Sequence, residues 1–349
     1  MFNIGKECTV DLDPSQFKSL QEYNNKIESG KLTCEQKACI CGNKSKFRST
    51  SVTYDRYGIY SPIVQCLECS LLIVGEYLDE ESLINFYIND YRPIYSESYR
   101  TPKYIFECQV NQGHNFIKTL KDVNITTSGK TVLEVGCGPG GILESFKRSG
   151  ANVFGCDFDE DFMNYGRKHS IDIRTGQFDS TFEHTSFDII VLSHLLEHID
   201  KPLDFLSKIK KQINPGGTLL IEVPGILELH KGVMERYFQG VHLYNFYGDY
   251  LRFILESFGF DVLYIDESLR AVCQNNRGAN SIEEIQNKLK EFGKNIDSHY
   301  LYLENEVRKY NSGLNFYFYK RQLINKTKAL LESLKLKSFV KYIYKKVLK

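Results

Sequence analysis

Residues 132–141 read VLEVGCGPGG, an apolar run that breaks into closely spaced glycines and then enters the helix-forming stretch Ile142-Leu143-Glu144-Ser145-Phe146. Strand, glycine turn and helix amino terminus in succession leave bare backbone facing a ligand. Glycine removes the Cβ atoms that block close approach and reaches φ values that other residues avoid. Gly136, Gly138 and Gly141 satisfy the dinucleotide pattern G-x-G-x-x-G. On this loop alone, a nicotinamide or flavin site and a nucleoside site both stay open.

Glu134, two residues before the first glycine, tips the balance. A carboxylate at that strand end repels a pyrophosphate and attracts a sulfonium or amino group. Opposite charges ~4 Å apart gain on the order of 4 kcal/mol at an effective dielectric of ~20, before desolvation. Further on, Asn152-Val153-Phe154-Gly155-Cys156-Asp157 gives a second short strand ending in an acid placed to accept from both ribose hydroxyls. Phe187 to Leu192 is a nearly continuous apolar run, as buried parallel strands are. Pro215-Gly216-Gly217 reads as a turn that sets register between a helix and the strand near 218–223. Strands near 260–265 and 269–274 are separated only by Asp266-Glu267-Ser268, too short for a parallel crossover, which predicts an antiparallel hairpin.

In this order, VLEVGCGPGG, GCDFDEDFMNYGRKH (155–169), FDIIVLSHLLEHIDKP (187–202), NPGGTLLIEVP (214–224) and LESFGFDV (255–262) resemble segments of the class I S-adenosylmethionine-dependent methyltransferases, over roughly residues 128–274. The resemblance implies an α/β, Rossmann-like sheet of seven strands with an antiparallel carboxyl-terminal hairpin. It also implies S-adenosylmethionine as cofactor, held by Glu134, Gly136, Cys137, Gly138, Gly140 and Asp157. Phe158 is expected to cover the adenine, and Phe178 and Asp179 to meet its ring and amino group. Ser193 and His194 are expected to line the channel toward the methyl. The chemistry would be an in-line displacement in which the protein chiefly aligns two reactants. A hydroxyl acceptor would profit from a histidine general base. His194, His198, His230 and His242 all fall after the fourth and fifth strands. His242 in Gly240-Val241-His242-Leu243-Tyr244-Asn245-Phe246 is the preferred base, because this segment resembles one where related sugar methyltransferases keep a catalytic histidine. Their adjacent acid is missing here, since Val241 precedes it, and His198 is the competitor.

Ten cysteines in 349 residues, in a chain expected to stay in the reducing cytoplasm, argue for thiols and metal ligands rather than disulfides. Cys39-Ile40-Cys41 and Cys66-Leu67-Glu68-Cys69 flank two β-prone stretches, the pattern of a ribbon holding a structural Zn2+ on four thiolates. The first knuckle is one residue short, which makes Cys34 a substitute ligand to consider. The arrangement resembles bacterial methyltransferases with an amino-terminal zinc segment, a group that includes nucleotide-sugar and surface-polysaccharide enzymes. The aromatic stretch Tyr77 to Tyr95 is similar to their linker.

The organisation expected is a helical segment at 1–33, a zinc ribbon at 34–75, a helical linker at 76–127, the cofactor-binding domain at 128–275 and a helical extension at 276–349. Lys plus Arg equals Asp plus Glu at 44 each, so bulk charge points to no nucleic-acid partner. From Phe318 to Lys349, however, ten basic residues face one acid, and Leu336, Phe339, Val340, Ile343, Tyr344 and Val347 share one helical face. Such a helix packs on a protein or lies peripherally on an anionic membrane. The expected activity is methylation of a sugar or surface-glycan precursor. RNA methylation and a non-catalytic scaffold that keeps the fold are the alternatives.

Overall fold

The computed structural model describes residues 12–95, 101–227, 239–266, 268–293 and 298–311. His230 and the basic helix expected beyond Phe318 lie outside them. The amino-terminal region opens with α1 (Pro14–Glu28), started by Asp13, which caps the helix reciprocally with Gln16, and by Pro14 in the first turn. Short strands follow: β1 (Cys34–Gln36), β2 (Phe47–Ser49), β3 (Ile63–Cys66), β4 (Leu72–Val74) and β5 (Glu76–Leu78). Then come α2 (Glu80–Asn89), α3 (Tyr91–Tyr95) and α4 (Pro102–Asp122), the last begun by the Thr101 hydroxyl. Strand β1 pairs with β5, so the ribbon closes on residues expected to belong to the linker.

The central sheet contains β6 (Thr131–Val135), β7 (Asn152–Asp157), β8 (Asp172–Thr175), β9 (Phe187–Ser193), β10 (Ile213–Glu222), β12 (Phe260–Ile265) and β13 (Arg270–Asn275), in the order β12-β13-β10-β9-β6-β7-β8. The chain runs outward from β6 to β8, then returns to place β9 on the other side of β6. That reversal opens a crevice at the carboxyl ends of β6 and β9, where open α/β sheets bind ligands. Strand β13 is antiparallel to both β10 and β12, as the three-residue link predicts. One boundary differs. Strand β10 begins at Ile213, and Pro215-Gly216-Gly217 forms an irregularity inside it rather than a turn before it, with the register shifting between Ile213 and Thr218.

Alternate residues of the parallel strands divide between two cores, as a pleat requires. Val132, Ile189, Val191 and Leu220 pack with Phe116 of α4 and with Ile142 and Phe146 of α5 (Gly141–Arg148). Leu133, Ile190, Leu192, Leu219 and Ile221 face Leu206 of α8 (Pro202–Gln212), Ile254 of α9 (Gly248–Ser257) and the ribbon. The remaining α-helices among the described residues are α6 (Glu160–Lys168), α7 (Phe178–Thr181), α10 (Ile282–Gly293) and α11 (Ser298–Asn311), the last two within the helical extension expected from residue 276. Strand β11 (Tyr244–Asn245) leaves the central sheet and joins the ribbon as the edge of a second sheet, β11-β4-β3-β2. No helix among the described residues is long and apolar enough to cross a membrane.

Candidate active site at the carboxyl edge of the sheet

The register sets Gly136, Asp157, Ser193 and Glu222 along one ridge, each at or just past the end of its strand. Gly136, Gly138 and Gly140 adopt φ of 72°, 52° and 77°, left-handed values that the turn requires. The Asp157 carboxylate accepts from the N–H groups of Gly138 (2.8 Å), Phe158 (2.7 Å) and Asp159 (2.9 Å), so it ties the glycine turn to the second strand. Cys137 is buried, and its N–H donates to Cys156 O at 3.2 Å. Phe158 is 66% exposed at the crevice rim. Phe178 instead packs inward on Phe205, and the Asp179 carboxylate meets Lys208 at 2.8 Å.

The sequence reading puts Glu134 on the pocket wall, but the structure sinks it beneath the turn at 1% exposure. The cause is the pleat: position 134 points to the same face as Val132, under the first turn of α5. There its carboxylate takes the Leu143 N–H, while Oε2 is buried with no hydrogen-bond partner. Burial, reinforced by the charge of Asp157, raises the Glu134 pKa well above the carboxylate range. An unsatisfied buried acceptor beneath a glycine turn is costly alone, and it suits a ligand that brings a cationic or hydrogen-bond-donating group.

The other side of the carboxyl edge is built by the segments after β9 and β10. His194 holds a left-handed φ of 51°, and its N–H donates to Glu222 O at 2.8 Å. Its ring lies between two carboxylates, with Nδ1 3.6 Å from Glu197 and Nε2 3.4 Å from Glu222. The His194 side chain is half-exposed, so what desolvation opposes its protonation is outweighed by the two carboxylates, which raise the pKa to about 10. Glu197, 1% exposed, likewise resists ionisation by burial, yet His194, His198 and His242 around it hold its pKa at about 2. Burial lowers the His198 pKa and so favours its neutral ring, whose Nδ1 is 3.1 Å from the Tyr87 hydroxyl. The His198 and His242 rings meet edge to face, with centroids 4.9 Å apart. Glu197 and His242 line one narrow recess, too tight for a water molecule, with Pro224, Ile226, Tyr244 and Asn245. The two histidines proposed as bases are therefore brought together around a carboxylate that sequence reasoning passed over.

The family profile described as a methyltransferase domain matches residues 113–265, which is less than half of the chain. Residues 113–265 form a methyltransferase domain. Among curated relatives, the ubiquinone biosynthesis O-methyltransferase of Hydrogenovibrio crunogenus is 34% identical over 29% of this chain and 44% of its own length. The mitochondrial ubiquinone biosynthesis O-methyltransferase of Schizosaccharomyces pombe is 30% identical over 27% of this chain and 38% of its own. The chain thus spans less than half the length of either relative. Magnesium protoporphyrin IX methyltransferase of Synechocystis, solved with SAH bound, shares 16% identity at a TM-score of 0.41, covering 56% of this chain and 98% of that one.

Two glutamines on α4 complete the methyltransferase domain's crevice, and sequence reasoning missed both. Gln109 accepts from Gly141 N–H at 2.9 Å and donates to Cys137 O at 3.2 Å, which spans the glycine turn. Gln112, one helical turn on, donates to Ser193 Oγ at 2.9 Å and to Glu222 at 2.7 Å. Glu222 is also paired with Arg270 at 2.6 Å. Two amides three residues apart on a helix face that also carries Phe106, Gly113 and Phe116 were the available signal.

Outside this domain, Cys39, Cys41, Cys66 and Cys69 are fully buried and converge, with Sγ–Sγ separations of 3.4 Å for Cys39–Cys69 and 3.6 Å for Cys41–Cys66. Tetrahedral Zn–S bonds of ~2.3 Å put sulfurs roughly 3.8 Å apart, so the four fit one ion. Cys34 lies exposed on β1, outside the cluster.

Proposed function

We propose that this protein transfers the methyl group of S-adenosylmethionine to a hydroxyl oxygen of a small polyhydroxylated acceptor, a sugar or glycan precursor, seated against Glu197, His198 and His242. The observation that carries the reading is the pairing of two clusters at the carboxyl edge of the sheet: the glycine turn over a buried, unsatisfied Glu134, and the Glu197–His198–His242 cluster after β9 and β10. Bound at Gly136–Gly140 with Asp157 at the ribose, the cofactor would supply an electrophilic methyl carbon on a sulfonium. His242 takes the acceptor hydroxyl's proton as the new oxygen–carbon bond forms and the sulfur–carbon bond breaks. Such a base contributes roughly 10²–10⁴ in rate. Glu197 stabilises the imidazolium that results. Asn245 Nδ2 is buried without a hydrogen-bond partner beside the Glu197 and His242 side chains, and such a polar wall suits an acceptor carrying several hydroxyls better than an apolar quinol ring. The four ribbon thiolates would hold one structural Zn2+.

Incubation of the protein with methyl-labelled cofactor and fractionated nucleotide-sugars, glycans, quinone lipids and RNA tests the acceptor. Label in a sugar fraction is the expected result. Label confined to lipid or RNA overturns the acceptor class, and no cofactor binding by calorimetry overturns the reaction. His242→Ala is expected to lose at least 10²-fold in kcat with cofactor affinity unchanged, and full turnover in a folded variant removes His242 from the base role.

A further inference from the structure

The ribbon is joined to both walls of the recess lined by Glu197 and His242 within a few residues of its cysteines. On one wall, Cys69 runs through Ser70 and Leu71 directly into β4, which pairs with β11 in the register Ile73–Tyr244 and Leu72–Asn245. Val74 N–H donates to Leu243 O at 3.0 Å, immediately after His242. Asp55, between β2 and β3, accepts from Gly240 N–H at 3.4 Å, just before it. On the other wall, Lys37, two residues before Cys39, pairs with Asp200 at 2.9 Å, two residues after His198. Tyr244 ties the walls to each other, donating through its hydroxyl to Asp200 O at 2.8 Å. The cluster is also fixed from outside: Tyr250 of α9 donates to Cys69 Sγ at 3.1 Å, and Gly293 of α10 sits so close that a Cβ there would lie 2.2 Å from the Cys69 carbonyl.

We propose that the cysteine cluster, filled by one metal ion, is a positioning clamp for the acceptor side of the site. Closing Cys39 and Cys41 onto Cys66 and Cys69 fixes Lys37 relative to β4, and thereby fixes the loop bearing Glu197 and His198 relative to the segment bearing His242. The glycine turn and Asp157 are held by Gln109 of α4 and by the sheet itself, and where the amino-terminal region reaches that side, at the Arg92–Asp159 ion pair, it does so through α3 and not through a cysteine-bearing segment. Metal loss therefore loosens the acceptor wall and spares cofactor binding. This rests on the proposed reading of where the acceptor sits, and it extends a merely structural zinc to a residue-specific role.

The test compares the zinc-loaded full chain with the same protein stripped by a thiol-competing chelator, by hydrogen exchange, histidine NMR and cofactor calorimetry. Stripping is expected to raise amide exchange at least tenfold at Val74, Tyr244 and Asn245. It should shift the ring signals of His198 and His242 while leaving that of His169, stacked on Phe106 beneath α4, in place. Cofactor affinity should change less than about twofold, and added zinc should restore every signal. Lys37→Met cuts one tether without touching a thiol. It is expected to keep one zinc per chain and normal cofactor affinity while shifting the His198 signal. Unchanged exchange and ring signals overturn the clamp. So does loss of cofactor binding together with the metal, which would make zinc a support for the whole fold. Absence of cofactor binding in the loaded protein is a separate outcome, and it overturns the transferase reading on which the clamp depends.

Discussion

Glu197 and His194 titrate in opposite directions for one reason, and the consequence is a pH window. His194 is raised from 6.5 to about 10, so its share of the stability is complete below about 6.5 and is lost as pH climbs through 10. Glu197 is lowered from 4.5 to about 2, so its share is complete above about 4.5 and is lost as pH falls through 2. Both are fully present only between about pH 4.5 and 6.5. Glu197→Gln is expected to flatten the two limbs and drop the His194 pKa, read by denaturation across pH and by NMR titration. Glu134 behaves differently. Burial and the nearby charge of Asp157 raise its pKa, and a cationic group arriving beside it would lower it again. Cofactor binding is therefore expected to release protons, measured by calorimetry in buffers of different ionisation enthalpy. Glu134→Gln should abolish that release.

At the scale of elements, the glycine turn depends on how closely α4 crosses α5. A Cβ on Gly141 would fall 2.1 Å from Phe106 O, and one on Gly113 would fall 2.7 Å from Ser145 Cβ. These two glycines let the helices touch backbone to backbone, which brings Gln109 within reach of the turn. Gly141→Ala is expected to cost about 1–3 kcal/mol by overpacking and to weaken cofactor binding, because Gln109 must withdraw. Equal stability by chemical denaturation would refute the close-crossing argument. Most of the central strands were legible because each is an apolar run bounded by turn residues; β8 is not one, since it buries only one of its four residues. The course of β11 was not: Tyr244-Asn245 is too short to show periodicity, and only its partner β4 makes it a strand.

For the whole molecule, the ribbon is no appendage. Its four cysteines are fully buried, and β11 of the carboxyl-terminal half completes its sheet. Elemental analysis is expected to find one zinc per chain. Cys66→Ser should lose it together with several degrees of thermal stability, since an ion that binds only the folded state stabilises it by mass action. Zinc-free protein of undiminished stability would contradict this.

Sequence alone was enough for most of the central strands, the hairpin, the glycine turn and the two cysteine knuckles, because these depend on local spacing and on the pleat's period of two. It also pointed to His198 and His242 separately. Tertiary structure decided what those residues face. It buried Glu134 under α5 and placed Gln109 and Gln112 across the crevice. It gathered three histidines around Glu197 from segments more than forty residues apart, and it hung the His242 segment on the ribbon. Those outcomes follow from helix crossings and sheet registers between distant segments, which no local pattern encodes.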